Sequence, residues 1–168
     1  MAGLKNRGFT LIEIMVVVVI VSILIGAVSL TFPRSTDDLL KEDADRFTEL
    51  LFLAQDEAIL QSRDLAIAIN NSGYQFLSRS DSAWTVFSKE PFKPRKLQGN
   101  VQSDLYIDGG PVIKLKEAAK TKPQIVIYST GEVTPFVYYF GYKDGSQVKI
   151  TVDAAGASKK EYRFEDKK

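Results

Sequence analysis

The chain has 168 residues, about one domain's worth, and it contains neither cysteine nor histidine. A disulfide framework and thiolate chemistry are therefore excluded, as are zinc sites of the usual kind and histidine-based catalytic triads. The formal net charge of +1 gives no general attraction to nucleic acid or to another strongly charged partner.

Residues 9–32 form an apolar run that holds one charged side chain, Glu13. As a helix this run would be roughly 36 Å long, enough to cross a hydrocarbon core of about 30 Å. A buried core helix fits less well, because the run is apolar on every side and the chain is short. A signal peptide cleaved near Ser29 would have an unusually long apolar region. We therefore predict a transmembrane helix over 9–32, and charge counting leaves its orientation open.

The junction between KNRG and FTLIE resembles the processing site of type IV prepilins and type II secretion pseudopilins. The resemblance implies a leader peptide at 1–8, cleavage by a prepilin peptidase between Gly8 and Phe9, and methylation of the new amino terminus at Phe9. Thr10 becomes the second mature residue, and Glu13 takes the glutamate position that this family uses in assembly. The resemblance also implies a single-pass protein of the bacterial inner membrane, with its globular domain in the periplasm.

Glu13 lies one helical turn after Phe9, so the two residues share a helix face. The carboxylate can pair with the chain's own amine or with the amine of an adjacent helix in a filament. Alternatively, it snorkels to the lipid headgroups, which its place near the helix start makes inexpensive. The processing motif around it favours pairing.

The pattern predicts an amphipathic helix over 33–62 that continues into the periplasm. Ser35 or Thr36 can cap its start, and Asp37 and Asp38 suit its positive end. Its apolar stripe consists of Leu40, Ala44, Phe47, Leu51, Ala54 and Ala58. The acids outside the stripe are Glu42, Asp45, Glu49, Asp56 and Glu57. We expect the stripe to face the domain's own sheet and the acids to face water or neighbouring subunits.

Residues 63–168 are predicted to form a β domain. A hairpin (LAIAI, NNSG, YQFL) comes first, and the later strand candidates are WTVF, DLYI, QIVIY, FVYYF, QVKITV and EYRF. Many short strands with little helix between them favour an antiparallel sheet or sandwich, so the predicted class is α+β, with the long N-terminal helix packed on the sheet. KEPFKPRKLQG is predicted to be a surface loop and KLKEAAKTK a short helical turn.

A later segment, IVIYSTGEVTPFVYYF, resembles a strand–turn–strand of the H-type pseudopilin domain, the GspH family. The matching residues are Tyr128, Gly131, Glu132, Thr134, Pro135 and Phe136, whereas Ser129 departs from the pattern. The stretch LFLAQDEAILQSRDLAIAI resembles that domain's passage from helix to first strand. We expect a plain hairpin in which Gly131 has a positive φ and Pro135 begins a strand or lies on an edge.

Two weaker chemical patterns are interpreted as solvated surface. Asp104 and Asp108 lack the spacing of a calcium loop. The loop that holds Lys89, Lys93, Arg95 and Lys96 with Phe87 and Phe92 is an unconvincing nucleic-acid patch in a nearly neutral chain. We predict neither catalytic residues nor a metal or other cofactor.

The resemblances imply a structural minor pseudopilin of type II secretion, located near the pseudopilus tip and helping to export folded exoproteins across the outer membrane. Its implied partners are the prepilin peptidase–methyltransferase, other major and minor pseudopilins, the inner-membrane assembly platform and membrane lipid. One alternative is a minor pilin of a type IV pilus. The alternative of another class is a soluble periplasmic binding or enzymatic domain released by signal peptidase.

Overall fold

A computed structural model of the chain describes residues 10–29, 35–80, 83–88, 90–112, 122–143 and 145–164. The chain divides into two compact units, Met1–Arg34 and Ser35–Lys168. Gly8 and Phe9 lie outside the described residues, as do Lys89 and nearly all of the helical turn predicted at 114–122.

The described part of the first unit is one helix, α1, which runs from Leu11 to Ser29. Its side chains from Leu11 to Leu24 are all exposed. No helix within the described ranges combines the length and apolarity that a membrane span needs. The membrane helix predicted at 9–32 includes residues outside those ranges at both ends.

The second unit begins with α2, which runs from Thr36 to Leu60. Ser35 is its N-cap, as predicted, with its Oγ accepting a hydrogen bond of 3.1 Å from the Asp38 N–H. This bond holds the pKa of the Asp38 carboxyl below its usual value. At the other end Ser62 adopts a φ of 49°, and the Arg63 N–H donates to the Ala58 carbonyl at 3.1 Å. Local side-chain and backbone chemistry therefore defines both ends of α2.

Within the described residues, ten strands follow α2 and form two antiparallel sheets. The first sheet has the order β3-β2-β1-β7, with β4 also paired to β2, and the second has the order β10-β9-β8-β5-β6. The strands of the first sheet are β1 (Leu65–Asn70), β2 (Gly73–Ser80), β3 (Ala83–Val86), β4 (Arg95–Lys96) and β7 (Ile125–Ile127). Those of the second are β5 (Gln102–Ile107), β6 (Gly110–Val112), β8 (Phe136–Gly141), β9 (Gln147–Val152) and β10 (Ser158–Arg163).

The predicted first hairpin is present. β1 and β2 pair from Leu65–Ser78 to Asn70–Gly73, so the loop between them is Asn71 and Ser72. Gly73 lies in β2 rather than in the turn. A Cβ at Gly73 would lie 2.0 Å from the Arg95 carbonyl oxygen, so only glycine allows β4 to approach β2 this closely.

The predicted stripe of α2 packs into the core between helix and sheets, as expected from its helical spacing. All six stripe residues are buried, and Leu50 joins them. Phe47 lies at the centre, with ring centroids 4.9 Å from Tyr74, 5.2 Å from Tyr138 and 6.1 Å from Phe136. One helix face therefore contacts aromatic side chains of both sheets.

Two local expectations were wrong. The segment 125–140 is not a plain hairpin, because β7 pairs with β1 in one sheet and β8 pairs with β5 and β9 in the other. Only one bridge, Ile127–Val133, joins the two arms. The predicted surface loop at 89–99 also contributes to the core, since Phe92 and Leu97 are buried and β4 lies within it.

Candidate functional site

The described part of the N-terminal motif begins at Thr10, immediately before α1. The Glu13 N–H donates to the Thr10 carbonyl at 3.0 Å and to the Thr10 Oγ at 3.3 Å. Thr10 therefore caps α1, and Glu13 stands in its first turn, where the helix dipole favours an acid. Within the described ranges, no cation pairs with the Glu13 carboxylate.

The outer face of α2, opposite the core, changes character along the helix. In the N-terminal half it is charged, and some of its charges are paired. Arg46 bridges to Glu42 at 2.6 Å, and the Lys160 ammonium of β10 pairs with Asp45. The Lys41 ammonium also lies 5.0 Å from the ring centroid of Phe164. This half therefore has a charged, solvated surface with contacts of its own to β10 and to the segment after it.

The C-terminal half of the outer face is apolar. Its exposed side chains are Phe52 (63 % exposed), Leu53 (44 %), Ile59 (48 %) and Leu60 (80 %). Phe52 and Ile59 are seven residues apart, as are Leu53 and Leu60, and Asp56 lies between the members of each pair. A spacing of seven residues is close to two helical turns, so the four side chains lie on one side of the helix. We call these four residues the outer apolar face. An apolar face of this size on a solvated helix is typical of an interaction surface.

The family-like turn at 128–134 docks against the same end of α2. Gly131 has a φ of 90°, as predicted, and its carbonyl accepts a 3.0 Å hydrogen bond from the Gln55 side-chain amide. A Cβ at Gly131 would lie 3.0 Å from the Ile59 Cδ1. Gln55 also donates to the Ala155 carbonyl at 3.2 Å, which ties the turn that precedes β10 to the helix.

The rest of the turn motif is structural in its contacts. The Thr134 N–H donates to the Val126 carbonyl at 2.9 Å, and the Thr134 Oγ accepts from the Val126 N–H at 3.2 Å. Pro135 lies immediately before β8, and Phe136 is buried against Phe47. Glu132 is exposed. These residues turn the chain from one sheet to the other.

Asp43 is a buried acid on the inner face of α2, only 2 % exposed. Its carboxylate accepts a 2.7 Å hydrogen bond from the Gln98 N–H and lies 3.4 Å from the Arg46 guanidinium. Burial raises the pKa of Asp43, against the opposing effect of that hydrogen bond and of the Arg46 charge. The Gln98 carbonyl accepts from the Tyr142 hydroxyl at 3.0 Å, so Asp43 anchors a loop between the sheets.

The weaker chemical patterns have structural explanations. Asp108 and Gly109 form the tight turn between β5 and β6. Lys93 and Arg95 both pair with Glu90, and the buried Phe92 is unavailable for base stacking. Across the ranges that the structure covers, no group of three or more acidic side chains could hold a metal ion.

Comparison with known families decides the affiliation. The family described as "Type II transport protein GspH" matches residues 43–156, and the "Prokaryotic N-terminal methylation motif" matches residues 3–29. The chain belongs to the GspH family. The two matches cover both units of the chain, in agreement with the two resemblances noted in the sequence.

Relatives in other bacteria carry the same family identity. The type II secretion system protein H of Pseudomonas aeruginosa is 35 % identical over 139 residues, which cover 78 % of this chain and 80 % of that protein. The protein H of Klebsiella michiganensis is 31 % identical over 173 residues, covering 92 % of this chain and 94 % of that protein.

The solved structure of the minor pseudopilin EpsH from the type 2 secretion system of Vibrio cholerae has the same fold. Its TM-score is 0.64 at 24 % identity, covering 77 % of this chain and all of that one. The predicted α+β class is therefore confirmed. The family and its relatives place this chain among the type II transport proteins of the GspH type.

The combination of family and methylation motif implies further properties. A pseudopilin that carries this motif implies other pseudopilins as partners and processing by a prepilin peptidase. It also suggests a membrane-anchored protein with a periplasmic domain. The family is one of structural pseudopilins.

Two residues with important contacts were missed by sequence reasoning. Asp43 follows the stripe residue Leu40 by three positions, so helical spacing could have placed it on the inner face. Gln55 gives no such signal, because its partners lie 76 and 100 residues away in the sequence.

Proposed function

We propose that this minor pseudopilin assembles near the tip of a periplasmic pseudopilus and helps to move folded exoproteins through the outer membrane. A helix over residues 9–32 anchors it in the inner membrane as a single-pass protein, and residues 35–168 form its periplasmic domain. Its contribution is packing surface, whereas enzymatic work belongs to its partners. Those partners are the peptidase–methyltransferase and an inner-membrane assembly platform driven by an ATPase.

The outer apolar face of α2 is the observation that carries this proposal. The domain has buried the opposite helix face completely, so Phe52, Leu53, Ile59 and Leu60 contribute little to its own core. Keeping four large apolar side chains in water is unfavourable, at roughly 1.5–3 kcal/mol for each one that a partner could bury fully. A subunit that joins a helical filament can bury this face against its neighbours.

This surface can be tested with one added charge. Leu53→Asp should reduce co-purification with the other pseudopilins of the same system, because the carboxylate would be buried without a partner. Lys41→Asp is the matched control, since it introduces the same side chain on the outer face of the charged half. Both variants should retain the melting temperature of the wild type. Equal co-purification of the two variants would exclude the apolar half as the assembly surface.

We infer that the leader is removed between Gly8 and Phe9. The junction of a basic leader, a glycine and an apolar helix supports this, and the capped helix start at Thr10 follows it directly. Gly8→Leu should leave full-length protein in the membrane. The mass of the wild-type chain should correspond to an N-terminal Phe9 with one added methyl group. A mature chain that begins after Ser29 would instead indicate signal peptidase.

We further propose that the Glu13 carboxylate pairs with the methylated amine at Phe9 of a neighbouring subunit. Both charges then leave water together, and each removes the other's desolvation cost. Glu13→Leu should insert in the membrane and be cleaved normally, yet assemble poorly. Breaking such a buried pair costs about 3–5 kcal/mol, since the partner amine is left alone. Equal cross-linking of wild type and variant to the other pseudopilins, at matched membrane levels, would show that Glu13 acts otherwise.

A further inference from the structure

The edges of the two sheets differ in how well they are protected against pairing with another chain. A free edge presents unpaired N–H and C=O groups, which proteins normally guard with charges, prolines or covering segments. β10 carries Lys159, Lys160, Glu161 and Arg163, and β6 contains Pro111. β7 is followed by the turn whose Val133 and Thr134 pair back onto it.

β3 has none of these protections. Its sequence, Ala83-Trp84-Thr85-Val86, contains no charge and no proline, and three of its four residues are aromatic or β-branched. No other described strand lies beyond it in the sheet, because β4 pairs with a different part of β2, at Gly73 and Tyr74. β3 is thus the unguarded edge among the described strands.

The hydrogen-bond pattern shows which backbone groups of β3 are available. The Phe87 N–H donates to the Phe76 carbonyl at 3.0 Å, and Val86 stands opposite Leu77. Bonded and non-bonded pairs alternate in an antiparallel ladder, so Thr85 bonds toward β2. The N–H and C=O groups of Trp84 and Val86 therefore point away from the sheet. An added strand could therefore form hydrogen bonds with the N–H and C=O groups of these two residues.

A groove of about 440 Å³ continues from the end of β3 to the end of α2, with Arg63, Val86, Phe87, Ser88 and Pro91 in its lining. The Arg63 guanidinium stacks on Phe87, 5.6 Å from the ring centroid, and its Nε is shielded from water without an acceptor. None of the described carboxylates forms an ion pair with it. Arg63 is therefore a half-buried cation ready for an anionic partner.

The two carboxylates beside the groove are already engaged. Glu57 accepts from the Gln61 side-chain amide, and Glu90 pairs with Lys93 and Arg95. Hydrogen bonding from Lys93, together with both positive charges, keeps the pKa of Glu90 below its usual value, so it stays ionised and paired. Among the described residues of the lining, Arg63 is the cation without a carboxylate partner, whereas Glu57 is hydrogen-bonded to a neutral amide and keeps its own negative charge.

We propose that β3 and this groove bind an extended segment of a partner protein, which adds a strand to the first sheet and directs an acidic side chain to Arg63. The outward-pointing N–H and C=O groups of Trp84 and Val86 provide the pairing, and the groove selects for an acid that follows the strand. A planar guanidinium favours a carboxylate in a bidentate geometry. This site is separate from the outer apolar face of α2 and does not depend on the filament contacts proposed above.

The test uses the full chain in cells that make the complete secretion system. A photo-cross-linking amino acid, p-benzoylphenylalanine, replaces Ser88, which is exposed at the groove. We expect an adduct with one partner protein, mapped by mass spectrometry to an extended segment that contains Asp or Glu. Arg63→Glu should lower its yield by about tenfold or more, as expected for reversal of an interfacial charge. Exchanging the mapped acid for Arg should restore the yield in Arg63→Glu.

Val86→Pro tests the strand pairing, because it removes an outward N–H without removing a bond to β2. It should abolish the adduct. Ser158→Pro is the matched control on β10, the edge that is guarded by charges. Because Asp153 and Ala157 form a hydrogen-bonded pair, the N–H of the next residue, Ser158, points away from β9. Ser158→Pro should therefore leave the adduct yield unchanged. An adduct that survives both Arg63→Glu and Val86→Pro would overturn the proposal. So would an adduct mapped to a helix or to a second copy of this chain, or the absence of any adduct.

Discussion

Along α2, the N-terminal and C-terminal halves have the same inner face but opposite outer faces. Leu40 and Phe47 in the first half are as fully buried as Leu51 and Ala58 in the second. On the outside, the first half carries ion pairs to its own helix and to β10, whereas the second half exposes Phe52, Leu53, Ile59 and Leu60.

This difference shows that the two faces of α2 have different roles. The inner face stabilises the domain, because its apolar side chains fill the space between two sheets. The outer face of the first half needs only water, since exposed charges are well solvated and some of them also pair within the domain. The outer face of the second half remains largely exposed in the described part of the domain, although Ile59 lies beside Gly131, and we therefore assign this face to assembly.

Removing a phenylalanine side chain from each face of α2 should give the largest difference in stability between the two faces. Phe47→Ala should lower the free energy of unfolding of residues 35–168 by roughly 3–5 kcal/mol, because it leaves a cavity among Tyr74, Phe136 and Tyr138. Phe52→Ala, the matched control on the outer apolar face, should change it by less than about 0.5 kcal/mol. Denaturant titration measures both. Similar losses would mean that the outer face also supports the domain.

A smaller loss of stability is expected from a substitution in the turn at 128–134, which docks against the C-terminal half of α2. Gly131→Ala should cost about 1–2 kcal/mol, since a side chain is strained at a φ of 90° and its Cβ crowds Ile59. Gly109→Ala separates the two causes, because Gly109 has a φ of 75° with no atom near a Cβ. Thermal or denaturant unfolding should rank Gly131→Ala as the more damaging variant. Equal losses would assign the cost to backbone strain alone.

Asp43 is the titratable exception on the inner face, and it makes stability depend on pH. Its pKa is raised by burial in the folded state, so the unfolded chain releases this proton first as pH rises. Between the unfolded and folded pKa values the folded state holds more protons, and the free energy of unfolding must fall with rising pH.

Asp43→Asn keeps an acceptor for the Gln98 N–H but cannot ionise. The difference in unfolding free energy between variant and wild type should therefore grow as pH rises from the unfolded value, near 3.8, through the folded one. Other carboxylates titrate in both proteins and cancel in this difference. Parallel stability curves from pH 3 to pH 7 would show that Asp43 titrates normally.

The charged outer half should give the smallest effect. Asp45→Asn removes the ion pair with Lys160, and exposed pairs of this kind contribute about 0.2–1 kcal/mol. The pKa of Lys160 is raised chiefly by its hydrogen bond to Asp45, which agrees with a favourable pair. Denaturant unfolding should show that Asp45→Asn lowers the free energy of unfolding less in 1 M salt, where screening weakens the ion pair of the wild type. A loss that is independent of salt would indicate packing rather than charge.

Local and periodic features could be determined from the sequence alone. The 3.6-residue spacing of apolar side chains identified all six stripe residues of α2, and the polar residues before the first turn limited its cap to Ser35 or Thr36. The β1–β2 hairpin followed from two short, largely apolar runs around a short polar turn. Gly131 had to adopt a positive φ because the turn there needs one. Each of these features depends on neighbours within a few residues, where propensity and period operate directly.

Only the tertiary structure decided which distant segments meet. β7 and β8 look like the arms of one hairpin, yet they belong to different sheets, because β7 pairs with β1 whereas β8 pairs with β5 and β9. Gln55 reaches two turns that lie 76 and 100 residues away, and Asp43 finds Gln98 across 55 residues. Spacing identified the stripe of α2 that meets the sheets, but it did not show that a second apolar face at the C-terminal half would stay exposed. Whether that face is covered depends on where the rest of the domain lies, which no local pattern encodes.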